Sequence, residues 1–294
     1  MTVKSLNMTQ AQKYFLQRPD HKIAYRAWGD DNAPAIIGVH GLTGNGSDFD
    51  FLAPALVEKD YRVIAVDLAG RGESDFLKNP LDYNYDVYCA DLLALLSHLD
   101  LRAVDWIGIS LGGLLGIKLA GMGASPIRRL IINDVGPEVP KMALDFIHQV
   151  ISQSYEFDDV TALETRMRAT RGLTWGKVTD EQWAHMAAHN ARALPNGKVT
   201  YAYDPAIAKI FETQPTGDEN LWPYWENINV PVLLLWGKKS MILTKKIIKQ
   251  MKKSGPAFDL HTFKDCGHVP SLMAPGQIEV VTDWLQRDDN RAFP

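Results

Sequence analysis

The sequence predicts an α/β protein built on a mostly parallel sheet with helices on both faces. Short apolar runs alternate along the chain with longer stretches of helical period. Several of these runs are apolar on successive residues rather than alternate ones, as strands buried on both faces require. A length of 294 residues also supports one large core without disulfide or metal staples.

Strands are expected at Lys22 to Trp28, Ala35 to Val39, Arg62 to Val66, Val104 to Ile109, Arg129 to Asn133, Pro231 to Trp236 and Leu260 to Phe263, most of them aliphatic or β-branched. Asp86 to Leu99, Leu111 to Ala120 and Gly276 to Arg287 place apolar residues at helical spacing and are the expected packing helices. Thr244 to Lys253 reads as a helix with one apolar stripe and a basic, solvated face. From about Val135 to Asn229 the alternation stops. Helical stretches near Met142 to Gln153, Ala162 to Thr170 and Thr179 to Arg192 occur there without a strong strand. Aromatics such as Phe146, Trp175, Trp183, Tyr201 and Trp225 are frequent. This segment is read as a helical insertion between two sheet strands.

The 31 Lys+Arg against 35 Asp+Glu give a net charge of −4, with no basic excess to attract nucleic acid. Cys89 and Cys266 lie far apart and fit no ligand spacing, which points to reduced thiols. The opening MTVKSLNMTQ lacks a signal-peptide core, and no uncharged run approaches the roughly 20 residues of a spanning helix. A cytoplasmic protein with no membrane partner is expected.

The chemistry concentrates in Trp106 to Gly113, WIGISLGG. Here Gly108-Ile109-Ser110-Leu111-Gly112 stands at a strand end and a helix start, which is the G-x-S-x-G nucleophile elbow in its required context. A side chain projecting from so tight a turn sits on strained backbone. Glycine two residues to either side lets neighbouring backbone pass without a Cβ clash. The helix that follows aims unpaired N–H groups at the serine. A serine cap after a strand is the plainer alternative.

Three further segments follow strands: Gly38-Val39-His40-Gly41-Leu42-Thr43-Gly44-Asn45, Val66-Asp67-Leu68-Ala69-Gly70-Arg71-Gly72-Glu73-Ser74, and Asp265-Cys266-Gly267-His268-Val269-Pro270. With the elbow, they make the chain resemble the α/β-hydrolase family over about residues 20–135 and 230–290. The resemblance implies an eight-stranded, mostly parallel sheet flanked by helices, with a helical cap inserted after strand 6. The core domain is then 1–135 and 230–294, and the cap 136–229. It further implies Ser110 as nucleophile, His268 of the G-H-x-P loop as general base, and the amides of Leu42 and Leu111 as oxyanion hole. In the family the histidine matching His40 is structural, and Asp67 and Ser74 hold their turn.

One position departs from the family. Its acid usually lies after strand 7, where this chain reads Trp236-Gly237-Lys238-Lys239-Ser240-Met241-Ile242-Leu243-Thr244, with Met241 in the acid's place. A thioether neither orients an imidazole nor stabilises its cation. Asp134, in Ile132-Asn133-Asp134-Val135-Gly136-Pro137, directly follows strand 6, where some α/β-hydrolases place their acid. It is the candidate partner of His268, and bonding of loop amides is its alternative role. Asp265 is expected to point elsewhere.

His185 and His189 stand at i and i+4 without the glutamate of H-E-x-x-H or a third ligand in view, so no metal is expected. No dinucleotide or phosphate motif appears, so no cofactor is expected. Serine at the elbow, rather than aspartate, disfavours alkyl-enzyme chemistry on epoxides or haloalkanes. The expected function is hydrolysis of a small carboxylic ester or lactone through an acyl-enzyme on Ser110. The alternatives are a carbon–carbon bond hydrolase of ring-cleavage products and, given Met241, a non-enzymatic hydrolase-like ligand-binding protein.

Overall fold

The computed structural model describes residues 10–213 and 219–287. Its main sheet holds eight strands: β1 (Gln12–Gln17), β2 (Lys22–Trp28), β3 (Ala35–Val39), β4 (Arg62–Val66), β5 (Val104–Ile109), β6 (Ile127–Asn133), β7 (Val232–Gly237) and β8 (Phe258–Phe263). Their order across the sheet is β1-β2-β4-β3-β5-β6-β7-β8. β1 and β2 run antiparallel to their neighbours and all other pairs are parallel. β3 to β7 are apolar and buried at nearly every position, because helices cover both faces. β1 has no counterpart in the sequence reading. It is an edge strand with Leu16 as its one buried residue, so it carries no apolar run. β6 and β8 each begin two residues earlier than expected.

One apolar layer, with Trp106, Leu115 and Ile132, packs under α2 (Tyr85–His98) and α3 (Leu111–Ala120). The opposite layer, with Trp28, Phe49 and Leu56, packs under α1 (Ala53–Val57) and the C-terminal helix Pro275–Gln286, which contributes Trp284 and Leu285. Ile109 and Leu235 both pair with Asn133, so β5, β6 and β7 end in one row at the carboxyl edge of the sheet. In open parallel sheets that edge is where ligands bind.

Between β6 and β7 lie α4 (Lys141–Ile151), α5 (Val160–Arg171) and α6 (Asp180–His189), together with short ribbons pairing Ala191–Ala193 with Val199–Tyr201 and Glu138–Val139 with Glu219–Asn220. These ribbons are too short to leave an apolar run. The insertion is tied to the sheet at two places. The Gly72 amide donates to Ala202 O (2.9 Å) and the Asp204 amide to Gly70 O (2.8 Å). On the other side, Gly267 and Ser271 amides donate to Thr174 O (2.9 Å) and Trp175 O (3.1 Å). Among the described residues no helix is long and apolar enough to cross a membrane. The opening nine residues, on which the leader reading rests, and the last seven of the expected core lie outside the described residues.

Candidate active site

Ser110 stands between β5 and α3 with φ 49° and ψ −108°, a conformation that β-carbon sterics disfavour. The flanking glycines are forced by close approach. A Cβ on Gly108 would meet Gly112 O at 2.2 Å, and one on Gly112 would meet Val39 O at 2.0 Å. The Ser110 amide donates to Asn133 O (3.0 Å), which fixes the turn against the end of β6.

His268 reaches back from the loop after β8, and its Nε2 lies 3.0 Å from Ser110 Oγ. Its Nδ1 lies 2.8 Å from Asp134 Oδ2 and 3.1 Å from Asp134 O. A neutral imidazole with its proton on Nδ1 satisfies both sides: Nδ1–H donates to Asp134, and Nε2 accepts from the serine hydroxyl. Asn133 Nδ2 donates to Pro270 O (2.8 Å) and steadies the histidine loop.

Asp134 is fully buried, and its φ of 61° turns the side chain toward β7. Its Oδ1 accepts from the Gly237 amide (2.8 Å), leaving Oδ2 for the ring. Burial raises the carboxyl pKa above its ordinary value, opposed by hydrogen bonds from His268, Ser240 and Gly237. Met241, in the family's acid position, is 74% exposed and turned to solvent, so the loop after β7 contributes no side chain to the histidine from that position.

Leu42 and Leu111 line the same cavity as Ser110, and the amide of neither donates a hydrogen bond to another described residue. The loop carrying Leu42 is held from below. His40 is buried, donates from Nδ1 to Gly41 O (2.6 Å) and accepts the Leu68 amide on Nε2 (3.0 Å). Burial lowers its pKa to about 3, so it stays neutral. Asp67 accepts the Gly46 (2.6 Å) and Glu73 (2.8 Å) amides, and Ser74 Oγ donates to Asp67 O (2.6 Å). Arg71 was not singled out by the sequence reading. It is fully buried and donates to Leu42 O (2.9 Å), Ala69 O (2.7 Å) and Tyr88 Oη (2.5 Å). Its one local signal was an arginine inside a glycine-rich turn after a buried strand.

Two cavities open from the serine. One, of about 350 Å³, runs toward Tyr83, Tyr88, Leu114 and Val139. The other, of about 240 Å³, runs toward His268, Trp175 and Phe146. Leu42, Ser110, Ile147 and Ile242 border both. Away from the serine, Asp50 lies beside His185 and His189, with ligand atoms within 4.8 Å of one another. The sequence offered these histidines no third ligand, because Asp50 is far away along the chain. Its carboxylate already accepts from His185 Nε2 (2.7 Å) and pairs with Arg26 (3.1 Å), while His189 Nδ1 donates to His185 O (2.9 Å). The Asp50–Arg26 ion pair and these hydrogen bonds hold the cluster together. Cys89 and Cys266 are free and buried, and burial pushes their thiols up to about 11 and about 12. Asp265 sits against the Cys266 thiol at 3.7 Å, away from the serine.

A family model described as alpha/beta hydrolase fold matches residues 34–275. The chain belongs to this family. It is 35% identical over 277 residues to a 3-hydroxybutyrate-oligomer hydrolase of Cupriavidus necator, covering 90% of this chain and 93% of that protein. Its fold matches a hydrolase from Rickettsia typhi with a TM-score of 0.87 at 33% identity, over 94% of this chain and 99% of that one. An α/β hydrolase from Novosphingobium aromaticivorans matches at 0.84 and 30%, over 95% and 99%. This α/β-hydrolase chain thus keeps the family's sheet, with the segment between β6 and β7 lying over its carboxyl edge.

Proposed function

We propose that this hydrolase cleaves carboxylic esters through an acyl-enzyme on Ser110, with His268 as general base and Asp134 as the acid that orients it. The hydrogen-bonded chain Ser110 Oγ, His268 Nε2 and Nδ1, Asp134 Oδ2 carries the reading. His268 takes the serine proton as Oγ attacks the carbonyl carbon. The oxyanion is received by the Leu42 and Leu111 amides, a stabilisation worth about 10²–10³ in rate per donor. The same imidazolium then protonates the departing alkoxide. Water, deprotonated by His268, releases the acid and restores the serine.

Residues 136–229 act in this reading as a cap that walls off both cavities. The likeness to a 3-hydroxybutyrate-oligomer hydrolase supports an ester substrate over a vinylogous diketone, and an oligoester over a lactone. The ligand-binder alternative rested on the missing acid after β7, and Asp134 beside the ring removes that ground. The test is turnover of a short-chain aryl ester by the wild type and by Ser110→Ala, with circular dichroism on both. The reading expects turnover that disappears in the variant. A wild type that hydrolyses neither aryl esters nor hydroxy-acid oligoesters contradicts it.

A further inference from the structure

The two cavities differ in charge, and only one of them borders the base. The larger is lined chiefly by apolar and aromatic side chains, and the charges at its rim are paired, Lys141 donating to Asp145 at 2.7 Å. It borders neither His268 nor Arg171. The smaller holds His268 together with Asp48 and Arg171. Arg168, three residues earlier on α5, is neutralised by Glu164 and Asp180, each at 2.7 Å. Arg171 has no carboxylate partner at such range among the described residues. Its guanidinium lies instead over the rings of Trp175 (5.1 Å) and Tyr201 (5.9 Å). Stacking of this kind restrains the guanidinium while leaving in-plane N–H donors available for a bidentate anion.

Its position relative to the histidine is also fixed. Thr174 and Trp175 amides donate to Arg171 O (2.9 and 3.0 Å), and the carbonyls of these two residues receive the Gly267 and Ser271 amides on either side of His268. A half-buried cation is therefore tied to the loop that carries the base. Asp48 packs against Gly44 in the same cavity, and burial pushes its carboxyl up to about 7, with Asp50 and Asp67 raising it and Arg171 and Arg26 opposing. An incoming carboxylate drives Asp48 further toward its neutral form, so it does not cancel Arg171.

The base that takes the proton from Ser110 returns it to the leaving oxygen, so the alcohol half of the ester sits on the histidine side. We propose that the histidine-side cavity is a subsite for a leaving group that bears a free carboxylate, held by Arg171. This proposal rests on the ester-hydrolase reading above and narrows it to short oligoesters of hydroxy acids, cut one unit from the carboxyl end. In acylation the Ser110 Oγ–carbonyl bond forms and the bond from carbonyl carbon to alkyl oxygen breaks. The serine proton passes through His268 Nε2 to that oxygen, so one free hydroxy acid leaves. Water then adds to the acyl-enzyme and the shortened acid follows, one water being consumed per ester. The volume of about 240 Å³ falls below that of drug-sized ligand sites and suits a single short unit.

The test compares a linear 3-hydroxy-acid dimer with its methyl ester, in the wild type, Arg171→Gln and Arg171→Lys, each checked by circular dichroism. The wild type is expected to favour the free acid by about 10- to 100-fold in kcat/KM, the range of a charge-assisted hydrogen bond. That ratio should fall to near one in R171Q and recover in part in R171K. A trimer labelled at its hydroxyl end should first give labelled dimer and unlabelled monomer. A wild-type ratio near one, a ratio that survives in folded R171Q, or labelled monomer as first product overturns the proposal. If R171Q does not fold, the wild-type ratio and the trimer products decide. A wild type that hydrolyses aryl esters but neither dimer overturns this proposal alone, whereas failure on every ester overturns the ester reading as well.

Discussion

Replacing Asp134 by Asn changes one oxygen to an amide nitrogen at the best-defined point of the site. Oδ1 accepts the buried Gly237 amide, so the Asn carbonyl is claimed there and its NH₂ faces His268 Nδ1. Two donors cannot share that contact, and the Asp134 carbonyl at 3.1 Å is the more distant of the two acceptors Nδ1 has, so the ring proton shifts toward Nε2, where it faces the serine hydroxyl as a donor instead of an acceptor. Flipping the amide restores the ring contact but strands the Gly237 N–H, at a cost of about 1–3 kcal/mol. The wrong tautomer is therefore favoured by roughly 5- to 150-fold. Loss of the carboxylate also removes the charge that stabilises the imidazolium as it forms, and together these give an expected fall of roughly 10³–10⁴ in kcat, in line with removal of a triad acid elsewhere. Steady-state hydrolysis of an aryl ester at neutral pH, with melting curves for both proteins, measures it. Folded Asp134→Asn with more than about a tenth of wild-type kcat would refute the reasoning and leave Asp134 as a brace for β7.

Because Met241 faces solvent, Met241→Asp is expected to leave the Asp134→Asn defect within about twofold, read as aryl-ester kcat of the double variant; recovery of tenfold or more would show that the loop after β7 still delivers an acid. Arg71→Met leaves three acceptors, Leu42 O, Ala69 O and Tyr88 Oη, without their donor. At about 1 kcal/mol each, melting should fall by roughly 5–10 °C, with a further drop in kcat because Leu42 loses its tether. Asp48 has a folded pKa of about 7, above its ordinary 3.8, so its ionisation weakens the fold as pH rises through that window. Asp48→Asn should therefore gain melting temperature over the wild type between about pH 4 and pH 7 and show no gain at pH 4; a gain independent of pH would contradict the burial argument.

The nucleophile elbow and the histidine loop were legible because each is a contiguous motif at a strand end. Gly108 answers to Gly112 O inside the turn and Gly112 to Val39 O on the neighbouring β3, while His268 sits in a short loop between strand and helix. Asp134 was legible through an absence, since Met241 left the usual acid position without a carboxylate. β1 was not legible, because an exposed edge strand with one buried residue has no hydrophobic period to read. Arg71, Asp48 and Arg171 were missed for a different reason. Their importance lies in partners brought together by the topology: Leu42 O across β3 and β4 for Arg71, and a cavity wall shared with His268 for the other two. The insertion hid most, since its ribbons are two or three residues long and its aromatics serve both packing and the cavity. Trp175 shows both uses, stacked on Trp183 at 5.1 Å and bordering the site.

The central claim is a covalent ester intermediate on Ser110. Rapid quenching of the protein with a short-chain aryl ester, followed by intact mass and peptide mapping, tests it most directly. The account predicts a burst of about one phenolate per chain, an acyl adduct confined to the Ser110 peptide, and neither signal in Ser110→Ala. Sustained turnover with no adduct in the wild type, or equal turnover in Ser110→Ala, would contradict it.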